Sequence, residues 1–171
     1  CGIRLRMMKR MKYKNVLYEQ LRLVENNPLN TEALARMIAD PEDLHLVWPV
    51  AEYPFNHDQW RAELDPANGT RSFLVYEGER MVGHGALAPC RGDGDSVMVR
   101  FLYIAPDMRN RGAGRRLLSL LEARAKDAMG ARRLILKVRT YNQRAMGCYG
   151  KYGFREYSRD GTLVLMEKKV L

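Results

Sequence analysis

The stretch from Val97 to Met129 constrains the fold of this chain most. It begins with a run of apolar, β-prone residues, VMVRFLYI, which ends at Ala105-Pro106. A short basic loop, DMRNRGAG, follows, and apolar residues then recur at helical spacing up to Gly130. A glycine directly after such a pattern is typical of a helix C-terminus. The stretch therefore predicts a strand, a glycine-bearing loop and a helix from about Arg115, in direct succession.

The loop predicts a binding site for phosphate groups. A strand-to-helix loop of this kind presents backbone N–H groups and the positive end of a helix to an anion. Gly112 and Gly114 have no side chain to hold a phosphate away from the backbone. No Lys-Ser/Thr pair follows them, which excludes a Walker loop, and Leu117 stands at the third glycine of a dinucleotide fingerprint. An ordinary basic turn between strand and helix is the alternative.

Two motifs carry a resemblance to a known family. The segment Arg109–Gly114 reads Arg-x-x-Gly-x-Gly after a strand and a proline, and it resembles the pyrophosphate loop of the GNAT superfamily of acyl-CoA-dependent N-acetyltransferases. The segment Asn142–Phe154 reads Asn-x-x-Ala-x-x-x-Tyr-x-x-x-Gly-Phe and is similar to the second signature of that superfamily. The resemblance extends from about Thr31 to the C-terminus. The region before the first motif resembles the family in layout only.

The resemblance implies an α/β (α+β) GNAT-like fold: a mixed, mostly antiparallel central sheet with splayed central strands, flanked by helices. Strand patterns at 16–24, 72–76, 81–87, 133–138 and 162–168 fit this, with helix patterns at 31–39 and 58–64. Gly83 and Gly85 flank His84 inside a strand, which predicts a bulge or a close backbone approach. Residues 16–171 are expected to form one GNAT domain, and residues 1–15 a basic N-terminal extension that is either non-native or flexible.

The family likeness also implies the site and its cosubstrate, acetyl-CoA. Tyr149 matches the tyrosine beside the thioester sulfur, and it is the predicted acid because a phenol has a pKa only ~1.5 units above that of a thiol. Asn142 matches the asparagine that supports the pantetheine arm. The predicted contacts for pantetheine are main-chain groups of Leu102, Tyr103 and Ile104. The predicted contacts for pyrophosphate are the N–H groups of Arg111, Gly112, Ala113, Gly114 and Arg115. Two further residues, Arg109 and Asn110, are predicted at the mouth of the site.

The general base stays open. Family members often carry a glutamate early in the central strand, where this chain has Met98, and no carboxylate occurs between Ser96 and Ala105. The alternatives are water and five side chains: His84, His45, His57, Glu52 and Asp58. Cys148 precedes the predicted acid, but direct transfer needs no covalent intermediate, so a packing role is expected for this thiol.

The uneven charge of the chain predicts the acceptor. The net charge is +9, but residues 40–68 hold seven acids against one base, whereas from Arg100 onward seventeen Lys/Arg stand against six acids. A basic half suits a polyanionic cosubstrate, and an acidic segment with Trp48, Phe55 and Trp60 suits a cationic amine. A cationic small molecule is therefore the predicted acceptor. The alternatives are a protein N-terminus or lysine, a non-catalytic acyl-CoA sensor, and a nucleic-acid-binding module.

Length and composition set the remaining expectations. The 171 residues fit one domain, and no apolar run approaches the ~20 residues of a membrane span. Three cysteines show no metal-ligand spacing, so no metal site is predicted and a reduced, cytoplasmic setting is expected. The arginines cluster on a glycine loop rather than along a helix face, which disfavours nucleic acid as a partner. The family likeness makes a homodimer plausible.

Overall fold

The computed structural model describes residues 20–171, and its seven strands form one sheet in the order β1-β2-β3-β4-β5-β7-β6. The strands are β1 (Leu21–Glu25), β2 (Arg71–Glu77), β3 (Arg80–Cys90), β4 (Asp93–Ile104), β5 (Arg133–Arg139), β6 (Arg155–Asp160) and β7 (Leu163–Lys169). The helices are α1 (Thr31–Met37), α2 (Pro41–Val47), α3 (His57–Glu63), α4 (Ala113–Met129) and α5 (Gln143–Tyr152), with short 3-10 turns at Pro66–Asn68 and Pro106–Met108. Only β4 and β5 pair in parallel, which confirms the predicted fold class.

The predicted succession of strand, loop and helix is confirmed, but the helix begins earlier than predicted. It starts at Ala113 rather than Arg115, because Gly112 has a φ of +84° and turns the chain directly into the first helical residue. Gly130 ends the helix, as predicted. Within residues 20–171, no helix has both the length and the apolar composition needed to cross a bilayer.

Two elements were missed by the sequence patterns. The predicted helix pattern ends at residue 39, yet Asp40 caps a further helix, α2, by accepting the N–H groups of Glu42 and Asp43. All six residues of β6 are exposed, so no apolar alternation marks that strand. The predicted strand at 16–24 corresponds to β1 from Leu21 onward. Residues 16–19 and the predicted extension 1–15 lie outside the described residues.

Two hydrophobic cores cover opposite faces of the sheet. On one face, α4 packs Leu117, Leu118 and Leu121 against strand residues such as Val99 and Leu136. On the other face, α1, α2 and α3 enclose a second cluster: Leu34, Ile38, Leu44, Trp60, Phe101 and Tyr103. Each core is dense with fully buried side chains, so the two helical layers fix the positions of β4 and β5 from both sides.

The two central strands separate, as predicted. Pairing between β4 and β5 is limited to three positions, from Ser96 opposite Arg133 to Met98 opposite Ile135. Beyond them, β4 continues beside β3 and β5 continues beside β7. A gap therefore opens between residues 99–104 of β4 and 136–139 of β5. Backbone groups that face this gap have no strand partner.

Candidate active site

A cavity of about 960 Å³ lies at the gap between β4 and β5. Leu117 and Tyr149 line it from the face covered by α4 and α5, whereas Trp48 and Tyr103 line it from the opposite face. The cavity therefore passes through the sheet where the strands separate. Two ligands can enter from opposite faces and meet in the gap.

One end of the cavity is built to receive an anion. Asn110 and Gly112 have φ values of +59° and +84°, and α4 then begins without a side-chain cap. The N–H of Arg116 bonds to the carbonyl of Gly112 at 3.0 Å. The N–H groups of residues 113–115, which precede it, have no acceptor within the helix. These donors and the positive helix end suit a phosphate group.

The glycine-bearing turn also depends on close helix packing. A Cβ at Gly114 would lie 3.2 Å from the Sγ of Cys148, so the start of α4 can approach α5 only with a small residue there. Cys148 is half-buried, and burial raises the pKa of its thiol. A neutral thiol in this contact fits the packing role expected for Cys148.

All but two of the predicted site residues line the cavity. The exceptions are Arg111, which is exposed, and Ala113, which is buried under the first turn of α4. The residues that the structure brings together are Leu102, Tyr103, Ile104, Arg109, Asn110, Gly112, Gly114, Arg115, Asn142 and Tyr149. Their contacts with a cosubstrate stay predictions.

Tyr149 and Asn142 project from α5 and its cap toward the gap. The ring of Tyr149 packs edge-on against Phe154, 6.1 Å between centroids, and its hydroxyl has no hydrogen-bond partner among the described residues. Burial raises the pKa of this phenol, so it stays protonated and able to donate. Asn142 accepts the N–H of Ala145 at 3.3 Å, which leaves its amide nitrogen free of described partners.

Arg109 is held by protein groups rather than left free at the cavity mouth. Its Nη2 donates to Asp43 at 2.9 Å and its Nε donates to the carbonyl of Ile104 at 2.8 Å. The guanidinium also lies over the ring of Tyr103, 5.4 Å from the centroid. The Arg109 and Asp43 side chains are only 15% and 13% exposed. This ion pair joins α2 to the glycine-bearing turn, so Arg109 can position the turn.

Replacing Arg109 with methionine is expected to lower the stability of the fold and to weaken acetyl-CoA binding. The substitution leaves the mostly buried carboxylate of Asp43 without its partner, which costs about 3 kcal/mol in unfolding free energy. We expect about tenfold weaker binding as the turn loosens. Urea unfolding and calorimetric titration measure both. Arg91→Met, at an exposed turn, is the matched control, and equal effects of the two substitutions would contradict the positioning role.

His84 is a structural residue of β3 and not a base of the site. It is fully buried; its Nδ1 donates to the carbonyl of Phe101 at 2.8 Å, and its Nε2 accepts from the hydroxyl of Ser72 at 2.7 Å. Burial lowers the pKa of His84 to about 4. Phe101 has a φ of +52°, and the pairing of β3 with β4 shifts register between His84 and Ala86. The predicted bulge is confirmed, and His84 holds it.

The other protein side chains considered as the base also lie away from the cavity lining. They are His45, His57, Glu52 and Asp58. Asp43 is the one acid among the lining residues, and Arg109 neutralises it. Among the described residues, no uncommitted carboxylate or imidazole therefore faces the reacting gap.

The cavity is basic, and all of its cations come from the basic half of the chain, which begins at Arg100. Seven of its lining side chains are cationic: Arg100, Arg109, Arg115, Lys137, Arg139, Arg144 and Lys151. The acids of the segment 40–68 serve mainly as helix caps or ion-pair partners: Asp40 and Asp65 as caps, and Asp43, Asp58 and Glu63 in pairs. Their partners come from distant parts of the chain in two cases, Arg109 and Arg100. A charge count along the sequence cannot show that neutralisation.

The fold recurs in solved acetyltransferase structures. A spermidine N-acetyltransferase from Vibrio cholerae, in complex with CoA and spermine, has a TM-score of 0.72 and 17% identity over 89% of this chain and 96% of that one. An acetyltransferase from Thermus thermophilus has a TM-score of 0.71 and 26% identity over 88% and 97%. An N-acetyltransferase from Campylobacter jejuni, in complex with acetyl-CoA, has a TM-score of 0.62 and 18% identity over 87% and 98%.

Sequence comparison adds a family-level match. None of the curated proteins compared with this chain matches it in sequence. The family model described as "Acetyltransferase (GNAT) family" matches residues 34–154, which include the glycine-bearing turn, both central strands and Tyr149. The chain therefore belongs to the GNAT family of acetyltransferases, enzymes that use acetyl-CoA as their cosubstrate.

Proposed function

We propose that this protein transfers the acetyl group of acetyl-CoA to a primary amine of a small molecule, by direct attack within a ternary complex. The observation that carries the proposal is the single cavity that passes through the sheet. Its anion-binding turn lies on one face and its aromatic wall at Trp48 on the other. Direct attack requires both reactants to be held together in one site, and the gap between β4 and β5 provides that site.

Most of the predicted residues have a direct role in this reaction. The N–H groups of residues 111–115 bind the pyrophosphate, and main-chain groups of residues 102–104 bind the pantetheine amides with help from Asn142. Tyr149 gives its proton to the departing thiolate; burial keeps this phenol protonated, although the raised pKa also makes it a weaker acid than a free phenol. A strand N–H near Ile104 stabilises the oxyanion. The carbonyl of Ile104 is already bonded to Arg109, which supports a fixed strand conformation there.

Water accepts the proton of the attacking amine in this proposal. An amine must be neutral to attack a thioester. His84 is buried and hydrogen-bonded at both nitrogens, and Asp43 is paired, so neither is free to act as the base. The neutral fraction of the amine in solution then controls the rate at low pH.

Calorimetric titration with acetyl-CoA, followed by a pH series, tests the proposed function. We expect stoichiometric binding that is tighter for acetyl-CoA than for adenosine diphosphate. We also expect the acid side of the kcat/KM profile to follow the pKa of the acceptor amine, and to move when an amine of lower pKa replaces it. Absence of acetyl-CoA binding would overturn the transferase proposal. A profile that does not move between amines would show an enzyme base instead of water.

One observation supports the cationic acceptor that the sequence predicted: structural neighbours include spermidine N-acetyltransferases. The acids of residues 40–68 do not add support, because most of them cap helices or form ion pairs. The cavity itself gives little support, because its one lining acid, Asp43, is neutralised by Arg109. Because the lining side chains that carry an unneutralised charge are cations, they determine which amine can bind at the gap. The homodimer, the cytoplasmic location and the domain bounds 16–171 stay predictions.

A further inference from the structure

Resting on the proposed function, we infer that the acceptor amine carries an anionic group, a carboxylate or a phosphate, which Lys137 and Arg139 bind. Both side chains belong to β5 and both line the cavity. The inference names the substrate class of the proposed acetyl transfer.

The alternation of β5 places these two cations on the acceptor side of the sheet. Leu134, Leu136 and Val138 are buried in the core beneath α4, on the face where the anion-binding turn lies. Successive strand residues point to opposite faces, so Lys137 and Arg139 point to the face of Trp48 and Tyr103. That face is where an amine can reach the gap without crossing the site predicted for the cosubstrate.

Among the described residues, these two cations have no carboxylate partner, whereas Arg100 and Arg109 each have one. Arg100 pairs with Glu63 at 2.6 Å, and Arg109 pairs with Asp43 at 2.9 Å. Lys137 is exposed and makes no ion pair or hydrogen bond with the described residues. The Nη1 of Arg139 donates to the neutral hydroxyl of Thr162 at 3.1 Å, which orients the guanidinium without neutralising it.

The cosubstrate does not account for this charge. Its pyrophosphate is predicted at residues 111–115, which start α4 on the opposite face, where Arg115, Arg144 and Lys151 add further charge. Two unneutralised cations on the acceptor face attract an anion and repel a polycation. The same cavity is also lined by apolar residues of the segment after α2, among them Val47, Trp48 and Pro49. An amine joined by an apolar chain to an anionic end matches this layout.

Four primary amines of similar length test the inference. They differ in the distal group: γ-aminobutyrate has a carboxylate, aminopropyl phosphate a phosphate, γ-aminobutyramide a neutral amide and putrescine an ammonium. We expect kcat/KM to be highest for a carboxylate or phosphate member, and the better of the two identifies the anion. Lys137→Met and Arg139→Gln should each raise the KM of that acceptor about tenfold, because a charge-assisted contact is lost. The KM values of the amide and of acetyl-CoA should stay unchanged.

Lys169→Met removes a lysine from an exposed strand end outside the cavity and is the matched control. Several outcomes would overturn the inference: fastest acetylation of putrescine, unchanged preference in the variants, a raised KM for acetyl-CoA in the variants, or no acetylation of any member by protein that binds acetyl-CoA. Protein that fails to bind acetyl-CoA would instead overturn the proposed function.

Discussion

Replacing Tyr149 with phenylalanine is expected to lower kcat about one hundredfold while acetyl-CoA binding stays unchanged. The substitution removes the one phenol that we place beside the departing thiolate, and general-acid catalysis contributes roughly 10²–10⁴-fold to such a step. The ring and its packing against Phe154 are retained, so the cavity keeps its shape. Steady-state kinetics by thiol release, with calorimetric titration of acetyl-CoA, measure the two quantities.

The pH dependence of the wild-type enzyme gives a second expectation for Tyr149. Burial raises the pKa of Tyr149, so the wild-type rate should not fall through loss of this proton as the pH rises toward 10. Tyr157→Phe removes an exposed hydroxyl on β6 and serves as the control. A Tyr149→Phe enzyme with kcat within a factor of three of the wild type would show that water, not the phenol, protonates the thiolate.

Replacing His84 with leucine is expected to cost roughly 3–4 kcal/mol in unfolding free energy, since buried polar partners are left unpaired. The carbonyl of Phe101 loses its donor at a residue whose φ is already +52°, and the hydroxyl of Ser72 loses its acceptor. His84→Gln keeps an amide that can donate and accept, and it should recover part of the loss. Urea unfolding at pH 7.5 gives the free energies.

The same residue predicts how stability changes with pH. The pKa of His84 is about 4 in the folded protein, against ~6.5 for an unfolded chain, so the unfolded state binds more protons between these values. The contribution of His84 to the free energy of unfolding is therefore complete above pH 6.5. It is lost as the pH falls toward 4, by about 3 kcal/mol in total. His84→Gln should remove this contribution. An identical pH slope in His84→Gln and wild type would show that other groups cause it.

Local sequence patterns predicted the cosubstrate half of the molecule well. The glycine pair, the apolar run before it and the helical spacing after it are short-range signals, and each corresponds to an element that lines the cavity. Gly83 and Gly85 likewise marked the bulge held by His84. Gly112 is set by its own backbone conformation, with a φ of +84°. At Gly83 and Gly85 the reason is close packing, because a Cβ there would lie 2.5 Å from the carbonyl of Tyr103 and 2.7 Å from Leu121, respectively.

The acceptor half could not be predicted in the same way, because its character depends on contacts between distant residues. Asp43 looked available for a cation in the sequence, yet it pairs with Arg109 across sixty-six positions. No local pattern marks Lys137 or Arg139 as a site residue, and only the separation of β4 from β5 places them in a cavity. Helix α2 was hidden for a related reason, since an Asp-Pro pair can end one helix or begin the next.

The gap between β4 and β5 also has a consequence for folding. Main-chain groups of residues 99–104 that face the gap have no strand beside them, so the sheet is incomplete along this edge. A ligand whose amides bind those groups acts as a missing strand and favours the native state over the unfolded one. At a ligand concentration one hundred times its Kd, binding then raises the free energy of unfolding by about 2.7 kcal/mol. Acetyl-CoA would in this way raise the thermal midpoint with its own concentration and protect β4 from amide hydrogen exchange.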